Sequence, residues 1–296
     1  MIVKIILEEE LNAKELKKLE ILFRETDRDI LRDFLILTDS PELARICRKL
    51  DMAVAAVLTE EGKDFPGISY AVTDTENLDE TYLERIWRRY RGIPWRICET
   101  KRCFVRESVP EDVESFYRIY QDKDITKYME DLFEDPEKER QYIRDYMEKV
   151  YGFYGFGMWT VCLRESGEVI GRAGLSMREG FDEPELGYVI GKKWQGRGLA
   201  EEVCREILSY GRKELGFEEV RVLMHPDNAA SERLCHKLGF TRTGEEKLEG
   251  ILEQALQDVG PLLGLSAVVD GAAGNDLLLK GDVLVQYFPQ GQGFGL

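Results

Sequence analysis

The chain has 296 residues, of which 43% are hydrophobic and 33% charged, and it carries a formal net charge of −16. That length and balance suit a soluble globular chain with two packed cores and exclude disorder as the default. The acidity argues against a nucleic-acid partner, which needs clustered Lys and Arg, and leaves two readings: plain solubility, or attraction to a cationic partner.

Met1 to Leu7 is apolar for only a short span before Glu8-Glu9-Glu10, and no apolar stretch approaches the ~18 residues of a membrane span. Neither an export signal nor a membrane partner is expected. Residues 1 to 96 then alternate apolar runs, Phe34–Leu37, Ala53–Leu58 and Ile68–Val72, with amphipathic helical patterns at Glu42–Leu50 and Glu80–Tyr90. Such alternation predicts a small α/β accessory domain with a parallel sheet. Arg88–Pro94, with its Gly and Pro, reads as the linker. Asp27-Arg28-Asp29 and Leu37-Thr38-Asp39-Ser40 superficially resemble motifs of the haloacid-dehalogenase-like phosphatases. No apolar strand precedes the aspartates, and too few residues separate the two segments for an active enzyme, so only a degenerate relative stays open.

The second unit, 97–296, opens on Glu99–Glu107 followed by Pro110-Glu111-Asp112. Met158–Leu163, a Ser166-Gly167 turn and Val169–Leu175 predict an antiparallel hairpin, and Glu185–Ile190 the next strand. Leu199 to Leu215 has a helical apolar stripe, with Gly216 placed to end it. Val220–Met224 is a further strand broken by Pro226; Asp227 or Asn228 caps the following helix and Gly239 closes it. After Glu246 the composition shifts: from Ile251 to Leu296 there is one Lys and no Arg. Asp282–Phe288 has the alternation of a last strand, so 249–281 reads as an insertion starting with a helix near Leu248–Val259, or else as an atypical tail.

Between the strand ending at Ile190 and the helix beginning at Leu199 lies Gln195-Gly196-Arg197-Gly198-Leu199-Ala200. Two glycines allow a tight turn and close backbone approach, and the free N–H groups of a helix start point at an anion. The Q-x-x-G-x-A spacing, the preceding Gly187-Tyr188-Val189-Ile190 and the later Asn228–Phe240 segment together resemble the GNAT superfamily of acyl-CoA N-acyltransferases, in its ribosomal-protein N-terminal acetyltransferase-like branch, over roughly 98–247. The resemblance implies a mixed, mostly antiparallel central sheet flanked by helices, an α+β fold preceded here by the small α/β domain. It also implies acetyl-CoA as cosubstrate, with the pyrophosphate on the backbone of Gly196, Arg197, Gly198, Leu199 and Ala200 beside Gln195. The pantetheine arm would run along Tyr188, Val189 and Ile190, and Asn228 would lie near it, the alternative role of Asn228 being a helix cap.

An amine acceptor with a reference pKa of ~10.4 must lose a proton before it attacks a thioester. Glu185 is the first candidate base and Glu183 the second, although a solvated strand or loop glutamate is equally ordinary. A backbone N–H near Val189 or Ile190 would meet the oxyanion. Where the family often has a tyrosine acid, this chain has Cys235, which also reads as a small buried hydrophobe. The six cysteines lie far apart with only two histidines. They fit reduced thiols in a cytoplasmic protein, and no metal site is expected. The resulting expectation is an acyl-CoA-dependent N-acyltransferase acting on a primary amine of a peptide, protein or small molecule. Its rival is a catalytically silent CoA-binding interaction protein. Oligomeric state is not legible.

Overall fold

The computed structural model describes residues 1–58, 63–129, 131–178, 181–247 and 282–287, and the chain divides into two units, Met1–Trp95 and Arg96–Leu296. The first unit runs β1 (Ile2–Ile5), α1 (Ala13–Glu25), α2 (Arg28–Leu31), β2 (Phe34–Thr38), α3 (Pro41–Lys49), β3 (Ala53–Val57), β4 (Ala71–Val72) and α4 (Glu80–Tyr90). Its sheet has the order β1-β2-β3-β4 with every neighbour parallel. β3 is buried along its whole length, as is β2 beyond Phe34, which explains why both read as unbroken apolar runs: a parallel strand is covered on both faces. Leu35 and Leu37 pack with Leu83 and Ile86 of α4, while Ile36 and Val54 pack with Leu43, Ala44 and Cys47 of α3.

Three local details refine the sequence reading. The run Ile68–Val72 is strand only at Ala71–Val72. α4 continues through Tyr90, so the expected linker Arg88–Pro94 begins inside a helix, and only the residues after Tyr90 connect the units. α1 was not anticipated, although Asn12 and Glu15 form a capping box at its start, which the N-x-x-E spacing announces.

The second unit runs β5 (Arg96–Glu99), β6 (Cys103–Arg106), α5 (Val113–Tyr120), α6 (Lys123–Thr126), α7 (Pro136–Tyr146), α8 (Gly152–Tyr154), β7 (Met158–Leu163), β8 (Val169–Ser176), β9 (Glu185–Ile190), α9 (Leu199–Lys213), β10 (Arg221–Met224), α10 (Ala229–Leu238), β11 (Thr241–Lys247) and β12 (Asp282–Tyr287). The sheet order is β11-β12-β10-β9-β8-β7-β6-β5. All neighbours are antiparallel except β9 and β10. Mixed, mostly antiparallel and flanked by helices, as the resemblance implies, it follows a separate parallel sheet, as the apolar alternation of the first unit predicts. The expected opening strand is two strands, β5 and β6, joined by a tight turn in which Thr100 N donates to Cys103 O at 2.8 Å. The last strand, β12, lies between β10 and β11. The helix expected near Leu248–Val259 and the rest of 249–281 lie outside the described residues.

On one face of the sheet α9 buries Leu199, Val203, Ile207 and Leu208, and Trp159 of β7 meets Tyr210 edge-on at 5.8 Å. On the other face Val113, Phe116, Ile119 and Tyr120 of α5 pack with Val189. Alternation along β9 therefore sends Val189, and with it Glu185 and Gly187, toward α5, and sends Leu186 and Tyr188 toward α9 and α10.

Candidate acyl-donor and acceptor site

β9 keeps its ladder with β8 from Ser176↔Glu185 to Gly171↔Ile190. With β10 it makes one register pair, Arg221↔Glu185, supported by Arg221 N donating to Pro184 O at 2.9 Å. No second pair joins these two strands among the described residues. The backbone edge of β9 from Leu186 to Ile190 thus faces a gap that an extended ligand can enter as an added strand.

At the far end of β9, Gln195 Nε2 donates to Ile190 O at 2.8 Å, fixing the turn that leads into Gly196 (φ 71°) and Gly198 (φ 74°). A side chain in that left-handed region costs roughly 1–2 kcal/mol. A Cβ at Gly196 would meet nothing within 4 Å, so packing does not demand the glycine; the backbone angle and an open concavity do. Gly198 is the N-cap of α9 with no side-chain cap, so the first N–H groups of that helix point outward with the positive end of its dipole.

Glu202 in the first turn would oppose an anion there, but Arg102 neutralises it. The Arg102 backbone N–H and Nε donate to its two carboxylate oxygens at 2.7 and 2.6 Å, and Arg102 Nη1 donates to Arg197 O at 2.9 Å. Burial alone would raise the Glu202 pKa; bonds from Thr100 and Arg102 outweigh it and hold the carboxyl below its usual range.

On the α10 side of the gap, the half-buried Tyr188 reaches across to the helix. Its hydroxyl lies 2.5 Å from Ser231 Oγ and 3.5 Å from Cys235 Sγ. Cys235 is fully buried, and burial pushes its thiol up to about 11 against the partial relief of bonds to Tyr188 and Ser231. Burial likewise drives the Tyr188 phenol well upward. Asn228 is the N-cap of α10 and accepts from Ser231 N at 3.1 Å. Its capping role is met, on the same wall of the gap.

Both candidate bases are ion-paired. Glu185 is buried and accepts from Arg178 Nε at 2.6 Å through Oε2, while its Oε1 is 3.5 Å from Nη2. Glu183 pairs with Arg221, a buried guanidinium that also stacks 3.7 Å from the Phe181 ring centroid. The structure therefore brings Tyr188, Asn228 and Cys235 to one wall of the gap, with Gln195–Ala200 at one end; Glu185 stands at the pair that closes the other end, on the opposite face of β9 from Tyr188. Sequence reasoning missed Arg178, Arg102 and the Tyr188 hydroxyl, none of which stands out locally. It also passed over Arg221, whose signal is a charge inside the apolar run Val220–Met224. Among the described residues no group of three His, Cys, Asp or Glu could hold a metal ion, and no helix is long and apolar enough to cross a membrane.

Residues 102–241 match the family model of the acetyltransferase (GNAT) domain. These residues, within the second unit, belong to the GNAT family. The matched residues contain the gap between β9 and β10, the glycine turn, and α10, and the family is that of acyl-CoA-dependent N-acyltransferases. Relatives agree with the assignment. The chain is 29% identical over 171 residues to YoaA, an uncharacterized N-acetyltransferase of Bacillus subtilis (strain 168), covering 55% of this chain and 90% of that protein. It is 32% identical over 107 residues to the ribosomal protein uS5-alanine N-acetyltransferase of Escherichia coli (strain K12), covering 36% of this chain and 53% of the relative. Among solved structures, a GNAT-family acetyltransferase from Bacillus anthracis aligns with a TM-score of 0.47 at 22% identity, covering 64% of this chain and 95% of that one.

Proposed function

We propose that the GNAT domain transfers the acetyl group of acetyl-CoA directly to a primary amine of a protein, peptide or small molecule. The observation that carries the reading is the single-pair junction of β9 and β10 ending in a turn with two left-handed glycines and an uncapped helix start. Backbone N–H groups from Gly196 to Ala200 would take the pyrophosphate. The open edge of Tyr188, Val189 and Ile190 would hydrogen-bond the pantetheine arm as a strand, with Asn228 alongside. The residues present fit this cosubstrate because the turn offers backbone N–H groups with no Cβ at Gly196 or Gly198 to fill the concavity.

The thioester carbonyl then lies over the middle of β9. Glu185, on the face shared with Gly187 and Val189, takes the amine proton directly or through a water at Oε1, the more loosely bonded oxygen; Glu183 is the alternative. The amine nitrogen bonds to the carbonyl carbon, a backbone N–H near Val189 or Ile190 meets the oxyanion, and the C–S bond breaks beside Cys235. The uS5-alanine relative makes an α-amino group the first acceptor to try, and the acidic chain favours cationic acceptors. The six cysteines are free, in keeping with a cytoplasmic protein, and the first unit serves as an accessory domain.

A catalytically silent CoA-binding role is favoured by one observation, the ion pairing of both candidate bases. The deciding experiment incubates the full chain with acetyl-CoA and a panel of Ala-initiated peptides, lysine peptides and small amines. Acetylated product by mass spectrometry with matching thiol release is the expected result. CoA binding without product on any acceptor would move the assignment to the silent role.

A further inference from the structure

We infer that the Tyr188 hydroxyl, backed by Ser231, is the hydrogen-bond donor that receives the departing CoA sulfur in the gap between β9 and β10. The inference rests on the acyl-CoA reading of that gap and adds to it a residue that reaches the gap from the strand rather than from α10. Tyr188 projects from the middle of β9 toward α10, and its oxygen stands 2.5 Å from Ser231 Oγ and 3.5 Å from Cys235 Sγ. Of the polar side chains on this wall, Asn228 has its oxygen occupied by Ser231 N, and Cys235 is fully buried with a weak S–H donor. Tyr188 is only half-buried and carries the stronger O–H, which faces Ser231 O at 3.4 Å and Cys235 Sγ at 3.5 Å, both long contacts that an anionic acceptor would outcompete.

The chemistry suits a donor that keeps its proton. A thiol is far more acidic than an alcohol or an amine, cysteine's reference pKa being about 8.5 and that of an alkyl thiol such as CoA's somewhat higher, so the thiolate leaves without needing a full proton transfer and gains most from a charge-assisted hydrogen bond. Burial holds both the Tyr188 phenol and the Cys235 thiol protonated. In the step itself the C–N bond forms, the C–S bond breaks with its electron pair moving to sulfur, and the amine proton passes to the carboxylate base. Ser231 O–H donates to the Tyr188 oxygen while Tyr188 O–H donates to the sulfur, each bond strengthening the other.

The test compares CoA with desulfo-CoA by titration calorimetry at a pH above the pKa of the free CoA thiol, so that the ligand sulfur is mostly ionised. The wild-type protein is expected to prefer CoA by about tenfold or more, the worth of a hydrogen bond to a charged group. Tyr188→Phe should lose that preference while binding desulfo-CoA as the wild type does, which also certifies its fold. Cys235→Ser should keep the preference, and Ser231→Ala should reduce it. With acetyl-CoA, Tyr188→Phe should lower kcat and leave KM nearly unchanged. A preference retained in Tyr188→Phe, or absent in a wild-type protein that binds both ligands, overturns the inference alone. If Tyr188→Phe fails to fold, an undiminished preference in Ser231→Ala overturns it instead. Failure of the wild type to bind either ligand overturns the acyl-CoA reading beneath it.

Discussion

β2 and β3 in the first unit and β9 and β10 in the second are both parallel neighbours, yet the first pair stays in register for four positions, Leu35↔Ala53 to Thr38↔Ala56, and the second for one. The chain ends of the two pairs differ in the same sense. Beyond β2, Thr38 Oγ1 accepts from Ser40 N at 3.1 Å, Ser40 caps α3, and Asp39 accepts from Glu8 N at 2.6 Å and lies 3.5 Å from Lys63. Beyond β9, the turn is glycine and α9 starts without a side-chain cap. A closed ladder with capped ends spends its polar groups on the fold; a ladder that stops early leaves them for a ligand. The residues of the first unit that resemble a phosphatase are spent in this way: Asp27 caps α2 by accepting from Asp29 N at 2.8 Å.

On the proposed chemistry at the open pair, Glu185→Gln is expected to have the largest effect. Turnover should fall by about 10²–10⁴-fold at neutral pH, with partial recovery at higher pH and an unchanged CoA dissociation constant. Rates across a pH series check this alongside a melting curve, since the change also removes the charge facing Arg178. Full activity would pass the role to Glu183 or to solvent. In the closed sheet the expectation is the reverse. Leu35 is fully buried, and Leu35→Ala should cost about 2–5 kcal/mol of stability by urea unfolding while CoA affinity holds. A weakened affinity in the folded variant would break the contrast between the pairs.

Much of this contrast was legible because it is carried by backbone. Strands with period-two or continuous apolar runs, the glycines at 196 and 198, and the cap at Asn228 leave local signatures, and the elements formed close to where those signatures lie. The charge partners were not legible. Arg178 meets Glu185 and Arg102 meets Glu202, and the second pair is 100 residues apart in sequence, so only the folded sheet brings them together. Tyr188 was read as a backbone contact because alternation tells which face a side chain takes but not that its hydroxyl spans to Ser231. α1 and β1 were missed for another reason: β1 is four residues long and largely exposed, and α1 buries no residue fully, so neither imprints a strong apolar pattern.

The glycine turn gives a smaller, sharper test. Gly198→Val forces a β-branched residue to φ 74°, which costs roughly 1–2 kcal/mol, and places a side chain where the phosphate would approach. Saturating acetyl-CoA should raise the melting point of the wild type, a gain of about 2.7 kcal/mol at a hundred times Kd, and the variant should lose most of that shift. An undiminished shift in a folded Gly198→Val protein would remove the turn from the cofactor site.

The smallest effect separates polar groups spent on the fold from those kept for chemistry within the GNAT domain itself. Glu139 of α7 is buried and accepts from Phe133 N at 3.3 Å. Burial raises its carboxyl above the ordinary 4.5, against partial relief from that N–H and from Arg172. Because the folded protein holds this proton to higher pH than the unfolded chain does, the native state binds more protons in the window above 4.5, and stability falls as pH rises through it. At neutral pH the group is a net cost. Glu139→Gln removes the charge, keeps an oxygen for Phe133 N, and should raise the melting temperature modestly at pH 7 with no gain below the unfolded pKa of 4.5. Acetyl transfer should stay unchanged if the residue serves the fold alone. A variant that melts higher but transfers acetyl more slowly would show that the α5 and α7 layer needs this charge to receive a cationic acceptor, extending the open site beyond the edge of β9.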